Sequence, residues 1–316
     1  MAKFKGPLML LITAILWGMA FVAQTSASDS IEPFTFNASR NFIGALFLTG
    51  VIFARKRLSH DVAPAKDDAQ ARQLGTYSTR ALIVGGIACG LVLCASSYLQ
   101  QAGISSYPAG AGASGRSGFI TALYMIAVAL YTAFSGKKSH PLVFVSVAVA
   151  LAGMYLLCIP NGLGSIYFGD LLVLACAIGY AAHIIVIDRY TNVDGVRLSR
   201  VQLIAAGGVS LICALLFESP SIGCILAASI PILYAGILSD GVAYTLQIIA
   251  QKTTDATVAS ILMSLESVFA GIGGWLILGE RLGTVELIGC ALVFAAVMLA
   301  QVPTFIEHAK ETRRKA

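Results

Sequence analysis

Charged residues are scarce in this sequence. Asp, Glu, Lys and Arg make up 12% of its 316 residues, about half of the roughly 25% that is usual in soluble domains. Hydrophobic residues make up 57%, and the mean hydropathy is +0.82. This composition excludes a soluble globular protein and indicates an all-α integral membrane protein.

Residue patterns that bind metals or cofactors are also missing. The seven cysteines lie almost entirely within apolar stretches and lack the paired spacing of a metal site, so we interpret them as small hydrophobic residues. We therefore predict no metal and no cofactor. The net charge of +5 comes mostly from basic residues in predicted cytoplasmic loops, and it indicates no nucleic-acid partner.

Long apolar segments fill almost the whole chain. A bilayer core about 30 Å thick needs about 20 apolar residues in helical conformation. The stretch 55–80 is predicted to be a solvated cytoplasmic loop, and residues 304–316 form a basic tail. Ten predicted transmembrane helices leave no room for a soluble domain: residues 7–28, 34–54, 81–104, 109–134, 141–159, 169–188, 198–217, 229–250, 255–278 and 284–302.

The distribution of basic residues predicts the orientation. If the N-terminus is cytoplasmic, all but three of the 21 Lys and Arg residues fall on the cytoplasmic side. The exceptions are Arg281 in an outer loop and Arg40 and Arg116 within spans. The positive-inside rule therefore predicts a multi-pass protein of the inner (plasma) membrane with both termini in the cytoplasm.

Two polar stripes suggest an internal repeat. A shift of 146 residues (240 − 94) aligns Cys94, Tyr98, Gln101 and Ser105 of helix 3 with Asp240, Tyr244, Gln247 and Gln251 of helix 8. Both sets follow the spacing of one helix face. Residues 1–160 and 161–303 would each hold five spans, and because five is odd, the second half must enter the membrane in the opposite sense. Such inverted repeats are typical of secondary transporters, whose solute site lies where the halves meet.

Several segments also carry a family resemblance. ILWGMAFV in helix 1, the arginine of NASRNFIG in helix 2, SGFITALY in helix 4 and SLESVFAGIGGWLILGERL across helix 9 resemble the EamA-like family of the drug/metabolite transporter superfamily. The resemblance implies ten helices in two inverted five-helix repeats, cytoplasmic termini, a central cavity, and export or import of small metabolites. It does not imply one solute.

Arg116 and Glu266 are the first candidate site residues. Counted from the outer end of each span, Arg116 lies roughly 9 to 11 Å deep and Glu266 about 18 Å, and charges in this zone normally have a partner. In the repeat register Arg116 corresponds to Leu262, one turn from Glu266. We therefore predict an Arg116–Glu266 pair across the symmetry axis. It would either lock the repeats together or open to bind solute or a proton.

Further candidates come from the polar stripes. Asp240 lies about 16 Å deep and heads the stripe on helix 8. In helix 4, Arg116 lies on a different face from Ser114, Ser117, Thr121 and Tyr124, so the two faces cannot both point fully into a cavity. The remaining candidates for solute binding or gating are Tyr98, Gln101, Tyr244, Gln247 and His183, although a lone histidine on an apolar helix is more often a hydrogen-bonded core residue.

Two enzyme classes are weaker alternatives. Ser114 in Gly112-Ala113-Ser114-Gly115 resembles the nucleophile of rhomboid intramembrane proteases, with His183 as its base. Ser114 is about 8 Å and His183 about 21 Å deep, too far apart for the contact of about 3 Å that such a dyad needs. Asp170 follows an incomplete aspartyl-protease motif and is better interpreted as part of the cap of helix 6.

The sequence therefore favours a secondary active transporter and not an enzyme. We expect an exporter that moves a small polar or amphipathic solute by alternating access, as a monomer or homodimer in the lipid bilayer. Because acids and arginines occur together, the hypothesis is a zwitterionic, amino-acid-like solute, with proton coupling through a carboxylate near the midplane. A cationic solute would require exposed acids and neutralised arginines.

Overall fold

The computed structural model describes residues 5–61, 79–135, 140–158, 166–280 and 283–315, and their regular structure is helical throughout. The long helices are α1 (Lys5–Ala27), α2 (Pro33–Asp61), α3 (Thr79–Ser105), α4 (Ala113–Phe134), α5 (Pro141–Cys158), α6 (Phe168–Asp188), α7 (Gly195–Phe217), α8 (Ser229–Gln251), α9 (Ala256–Leu278) and α10 (Thr284–Lys315). A short helix, Ile222–Ala227, precedes α8.

Eight of these helices are long and apolar enough to cross a membrane, which confirms a multi-pass membrane protein. In the described residues, α5 and α10 provide only shorter apolar stretches, Phe144–Gly153 and Thr284–Ala296. The structure therefore supports eight of the ten predicted spans directly. The predicted loop 55–80 lies mostly outside the described residues.

The helices pack in a pattern that recurs after a shift of five helices. A shift of five pairs α1 with α6, α3 with α8 and α4 with α9. Helix α1 contacts α8 and α9, and its counterpart α6 contacts α3 and α4. Likewise α2 contacts α8, while α7 contacts α3. The pairs α2–α7, α4–α9 and α5–α10 each join helices that occupy the same position in the two halves.

At one end of the bundle, the first turn of a helix is capped by the side chain of the residue directly before it. The side chain of Asp194 accepts a hydrogen bond from the Arg197 amide at 2.9 Å at the start of α7. Asp255 does the same for Thr257 at 2.8 Å at the start of α9. These side chains satisfy amides that have no partner within the helix. Because Lys252 lies here, after the last residue of α8, we call this end the Lys252 end.

At the opposite end, α2 and α4 are capped by glutamates from the other half. Glu218, directly after α7, accepts hydrogen bonds from the Phe34 and Thr35 amides at 2.7 Å each. Glu280, after α9, accepts from the Ser114 amide at 2.9 Å. We call this the Glu280 end. Its two carboxylates tie the halves together, which the self-capped helices of the Lys252 end do not do.

Small residues allow α4 to approach α9 closely. A Cβ atom at Gly118 would lie 2.6 Å from the Cβ of Ala270 and 3.6 Å from the Cα of Ser267. Such a distance requires one of the helices to move, because neither contacting atom belongs to a flexible side chain. The glycines of the segment 112–121 thus include a packing contact of the kind that is common between membrane helices.

We expect Gly118→Ala to destabilise the protein by about 1–3 kcal/mol, the usual cost of forcing extra volume into a packed interface. The matched control is Gly208→Ala in α7, where an added Cβ would meet nothing within 4 Å. That control should be neutral or should stabilise the helix by up to about 1 kcal/mol through helix propensity. Thermal unfolding in detergent measures both, and equal melting temperatures would contradict the packing role of Gly118.

Candidate functional site

Helices α4 and α9 are both interrupted near their middle. The α-helical segment Ala113–Thr121 is separated from Tyr124–Phe134, and Ala256–Met263 is separated from Glu266–Gly273. At the interruptions, Leu123 bonds to Ile120 at 3.1 Å and Leu265 to Leu262 at 3.4 Å, both over three residues. Such tightened turns often mark functional positions in helices.

Hydroxyl side chains accompany the interruption in α9. The hydroxyls of Ser260, Ser264 and Ser267 donate to the carbonyls of Thr257, Ile261 and Ser264, at 2.7 to 2.8 Å. Serines that bond back to their own helix compete with its backbone hydrogen bonds and commonly bend it. The local sequence therefore favours a break at the point where Glu266 begins the second segment.

A cavity of about 30 Å³ lies at the level of these interruptions. Helices α1, α2, α3, α4, α6, α8 and α9 all contribute to it. Its aromatic lining consists of Trp17, Phe21, Tyr124, Tyr180, His183 and Tyr244. Its polar lining consists of Gln24, Arg40, Gln100, Thr121, Ser239, Gln247 and Glu266. Small-molecule sites commonly combine apolar and aromatic walls with polar groups that fix the orientation of the ligand, and this cavity has both kinds of lining.

The cavity carries one ion pair in its wall. Arg40 on α2 lies 3.3 Å from Asp240 on α8, measured from Nε to Oδ2, and the two side chains are 2% and 0% exposed. The carboxylate oxygens of Asp240 make no hydrogen bond, so the contact is ionic in character. Arg40 faces the cavity, and Asp240 stands behind it and compensates its charge.

The prediction that Arg116 pairs with Glu266 is wrong, because the acidic partner of Arg116 is Asp170. Arg116 forms a two-pronged pair with Asp170 on α6, with Nε–Oδ1 at 2.6 Å and Nη2–Oδ2 at 2.7 Å. The hydroxyl of Tyr107 donates to the same carboxylate at 2.8 Å, and the ring of Tyr167 lies 4.8 Å from the guanidinium. Both charged residues lie in the first turn of their helices at the Glu280 end, so their depths match.

Glu266 is buried without a basic partner. The residue is 3% exposed, and its Oε1 makes no hydrogen bond. Tyr124, the first residue after the interruption of α4, lies beside it without hydrogen-bond geometry. Within the part of the chain that the structure describes, Arg40 and Arg116 pair with aspartates, and Glu266 forms no ion pair.

His183 lines the cavity in a fixed orientation. One of its ring nitrogens lies 3.2 Å from Oε1 of Gln202, and its ring meets Tyr244 edge to face at a centroid distance of 5.6 Å. Ser114 instead bonds to Glu280 at 2.5 Å at the end of the bundle. The serine and the histidine thus have different partners, and the dyad of the protease alternative is not formed.

The two polar stripes contribute differently to the cavity. On α8, Tyr244 and Gln247 line it as predicted, and neither end of the Gln247 amide has a partner. On α3, Tyr98 stacks on Phe34 at a centroid distance of 3.9 Å, and Gln101 donates to a backbone carbonyl of α1. Neither residue is part of the cavity lining, because the helix presents the neighbouring face that carries Gln100.

Lys252 follows the last residue of α8, at the Lys252 end of the bundle. Its ammonium group donates to the Val193 carbonyl at 2.5 Å and so ties the end of α8 to the connection between α6 and α7. Partial burial lowers the pKa of this ammonium group, and the nearby Asp194 opposes that shift. No group of three or more potential metal ligands occurs among the described residues.

The fold and the cavity define a multi-pass membrane protein with a cavity of aromatic and polar side chains between its two halves. The model of the EamA-like transporter family matches residues 4–159 and 167–301. The chain therefore belongs to the EamA-like family of the drug/metabolite transporter superfamily.

Similar proteins support the same assignment. An "Uncharacterized transporter" of Archaeoglobus fulgidus is 27% identical, covering 93% of this chain and 84% of that protein. "Uncharacterized transporter YoaV" of Bacillus subtilis is 24% identical, with 90% and 92% covered. "Uncharacterized inner membrane transporter YedA" of Escherichia coli is 22% identical, with 94% and 90% covered. A solved structure described as "Crystal structure of protein" has a TM-score of 0.71 at 20% identity over 94% of this chain, which shows a shared fold.

Proposed function

We propose that this transporter is a secondary active exporter that moves small solutes through the central cavity by alternating access between two inverted halves. The observation that carries the proposal is the cavity itself, which lies where α4 and α9 are both interrupted and is lined by buried polar atoms without partners. Discontinuous helices at a central site are characteristic of transporters built from inverted repeats.

The packing supports ten spans in two five-helix halves. Under a shift of five helices, the contacts of α1 become those of α6, and α5 and α10 pack together as equivalent helices. The interruptions at Ala122 and Ser264 lie at similar places in the two halves. Their shift of 142 residues (264 − 122) is about one helical turn less than the 146 residues that relate the polar stripes. We therefore propose that α5 and α10 also cross the bilayer and that both termini are cytoplasmic.

Contacts between helices lie on both sides of the cavity in this conformation. In the proposed orientation, the cytoplasmic side is filled by an apolar cluster that includes Leu10, Val128 and Met263. This cluster shares Tyr124 and Ile184 with the cavity lining. The outer side is the Glu280 end, where Glu280 and the Arg116–Asp170 pair hold α4 to its neighbours. Alternating access requires these contacts to open in turn.

Proton coupling would act at Glu266. An ionised carboxylate that is buried without a cation is costly, so either a proton or a cationic group of the solute should compensate it. The charged and titratable groups that face the same space are Arg40 with Asp240 behind it, Tyr124, Tyr180, His183 and Tyr244. Because each chain has a complete cavity, a monomer or a homodimer would suffice.

Reconstituted vesicles test the proposed function. Purified protein in liposomes, screened with labelled metabolites under an imposed pH gradient, should move at least one solute faster than protein-free liposomes. Glu266→Gln should abolish the dependence on the gradient, whereas Asp29→Asn, an acidic-to-amide change on an exposed outer-loop residue, should not. If no solute moves in any gradient, the transporter proposal fails.

Cross-linking tests alternating access. Ser114 and Glu280 touch at the Glu280 end, so cysteines at both positions, in a background without the seven native cysteines, should react with a short, cleavable bifunctional thiol reagent. We expect transport to fall at least tenfold after cross-linking and to recover after cleavage. Each single-cysteine variant serves as the control. Undiminished transport by fully cross-linked protein would contradict opening at this end.

A further inference from the structure

We infer that the central cavity binds an organic monocation, an amine or quaternary ammonium compound that carries an apolar or aromatic body, with Glu266 as its counter-ion. The inference rests on the proposed function in one respect, namely that the solute bound in the cavity is the solute transported. It replaces the zwitterionic solute that the sequence suggested.

The first argument is the charge that is left in the cavity wall. A zwitterion needs a cationic group for its carboxylate, and the two arginines of the spans were the candidates. Arg116 is engaged by Asp170 through two contacts of 2.6 and 2.7 Å and does not line the cavity. Arg40 does line it but is compensated by Asp240 at 3.3 Å. Only the charge of Glu266 has no compensation among the described lining residues.

The second argument is that several buried hydrogen-bond acceptors in the cavity wall have no donor. Oε1 of Glu266 and Oε1 of Gln24 are buried acceptors without a donor. The Gln247 amide has both of its ends free and can turn its oxygen toward a ligand. An ammonium group supplies N–H donors to such acceptors. Unpartnered donors, Nε of Arg40 and the hydroxyl of Tyr124, line the same cavity, but an uncharged hydroxyl and an arginine beside Asp240 do not compensate the charge of Glu266.

The third argument is the aromatic lining. Trp17 and Tyr244 lie 4.9 Å apart between ring centroids, and Tyr124 and Tyr180 line the same space from α4 and α6. Aromatic faces attract cations, and cages of several aromatic rings are the common recognition element for quaternary ammonium groups. The same rings provide apolar area for the body of the solute.

The binding step has a simple proton balance. If Glu266 is protonated in the empty cavity, its proton leaves when the cation binds, and the carboxylate then forms an ion pair with the ammonium group. One proton is released for each monovalent cation bound. The exchange is electroneutral, so a proton gradient can drive the cation out of the cell against the membrane potential.

A series of four phenyl compounds tests the charge preference. Phenethylamine is a cation, phenylalanine a zwitterion, 3-phenylpropionate an anion and 2-phenylethanol neutral, while the ring is the same in all four. Trp275→Phe leaves Trp17, in the cavity, as the single remaining tryptophan of the two in the chain. Binding to the detergent-solubilised full chain is followed by Trp17 fluorescence and by calorimetry. We expect phenethylamine to bind at least tenfold more tightly than phenylalanine and 3-phenylpropionate.

Variants at Glu266 provide the second measurement. Glu266→Gln should weaken phenethylamine binding at least tenfold and leave 2-phenylethanol binding unchanged, while Glu266→Asp should retain most of the cation preference. Asp29→Asn is the matched control. Calorimetry in buffers of different ionisation enthalpy should show about one proton released per phenethylamine by the unsubstituted protein and none by Glu266→Gln.

The outcomes separate this inference from the proposed function. Equal or tighter binding of phenylalanine to the unsubstituted protein overturns the inference, even if no Glu266 variant folds. Unchanged phenethylamine binding by Glu266→Gln overturns it as well. Tight cation binding without movement in liposomes leaves the assigned ligand class standing and refutes the transport proposal instead.

Discussion

Replacing Asp170 by Asn is expected to lower the free energy of unfolding by about 3 kcal/mol, because it leaves the Arg116 guanidinium charged and buried without its carboxylate. The two side chains are only 7% and 10% exposed, and both prongs of the contact are short. The carboxylate also accepts hydrogen bonds from the Tyr107 hydroxyl and from the Tyr167 amide, one on each oxygen. Because an asparagine keeps only one acceptor oxygen, the loss combines the charge with one of these hydrogen bonds. Denaturant unfolding in detergent gives the change in free energy.

The control for this prediction is the exposed Asp29→Asn, which should change stability by less than about 0.5 kcal/mol. A second variant distinguishes a net stabilising contribution of the ion pair from the cost of leaving one buried charge without its partner. The double change Arg116→Leu with Asp170→Leu removes both charges and should recover most of the stability, as is common for buried ion pairs. A destabilisation below about 1 kcal/mol for Asp170→Asn would contradict the buried pair.

The all-helical, multi-pass character of the protein followed from the sequence because membrane helices are specified by long apolar stretches. The two spans that are not supported at full length, in α5 and α10, are those whose apolar stretches in the described residues are shortest. The helix interruptions in α4 and α9 were not foreseen. They depend on serine back-bonding and on tertiary packing, and neither changes the mean hydropathy of a segment.

Which residues line the cavity was predicted in part, for an equally physical reason. Helical periodicity correctly separated Arg116 from the face of α4 that carries Thr121 and Tyr124, and these two residues line the cavity. Periodicity does not fix the rotation of a helix against its neighbours, so the α3 stripe with Tyr98 was assigned to the wrong face. For Arg116, equal depth was the better guide: Asp170 lies as close to its helix start as Arg116 does, whereas Glu266 is about 7 Å deeper.

Arg40 shows the limit of choosing site residues one at a time. The sequence marked Arg40 as a charge within a span, and Asp240 as a candidate, but not their contact, because they lie on helices far apart in the chain. Their pairing underlies the proposed preference for a cation, because an arginine that is compensated by a carboxylate attracts an anionic group less strongly. The preference of the site therefore depends on a partner that the linear sequence does not identify.

Asp240→Asn should consequently weaken the binding and transport of a monovalent cation by about thirtyfold. The change leaves Arg40 uncompensated in the wall of the cavity, and a unit charge about 8 Å away at an effective dielectric constant of about 20 contributes about 2 kcal/mol of repulsion, equivalent to about thirtyfold in affinity. Binding of an anion of the same size should strengthen. The phenethylamine and 3-phenylpropionate pair, measured by calorimetry, reports both effects.

The matched comparison is the double change Arg40→Gln with Asp240→Asn, which removes both charges and preserves hydrogen-bonding groups. Because the pair contributes no net charge to the cavity, this variant should bind phenethylamine far more tightly than Asp240→Asn alone. A general loss of fold would reduce the binding of every compound, including neutral 2-phenylethanol. If Asp240→Asn binds phenethylamine as tightly as the unsubstituted protein, then Asp240 does not compensate Arg40 and the charge argument for a cationic solute is wrong.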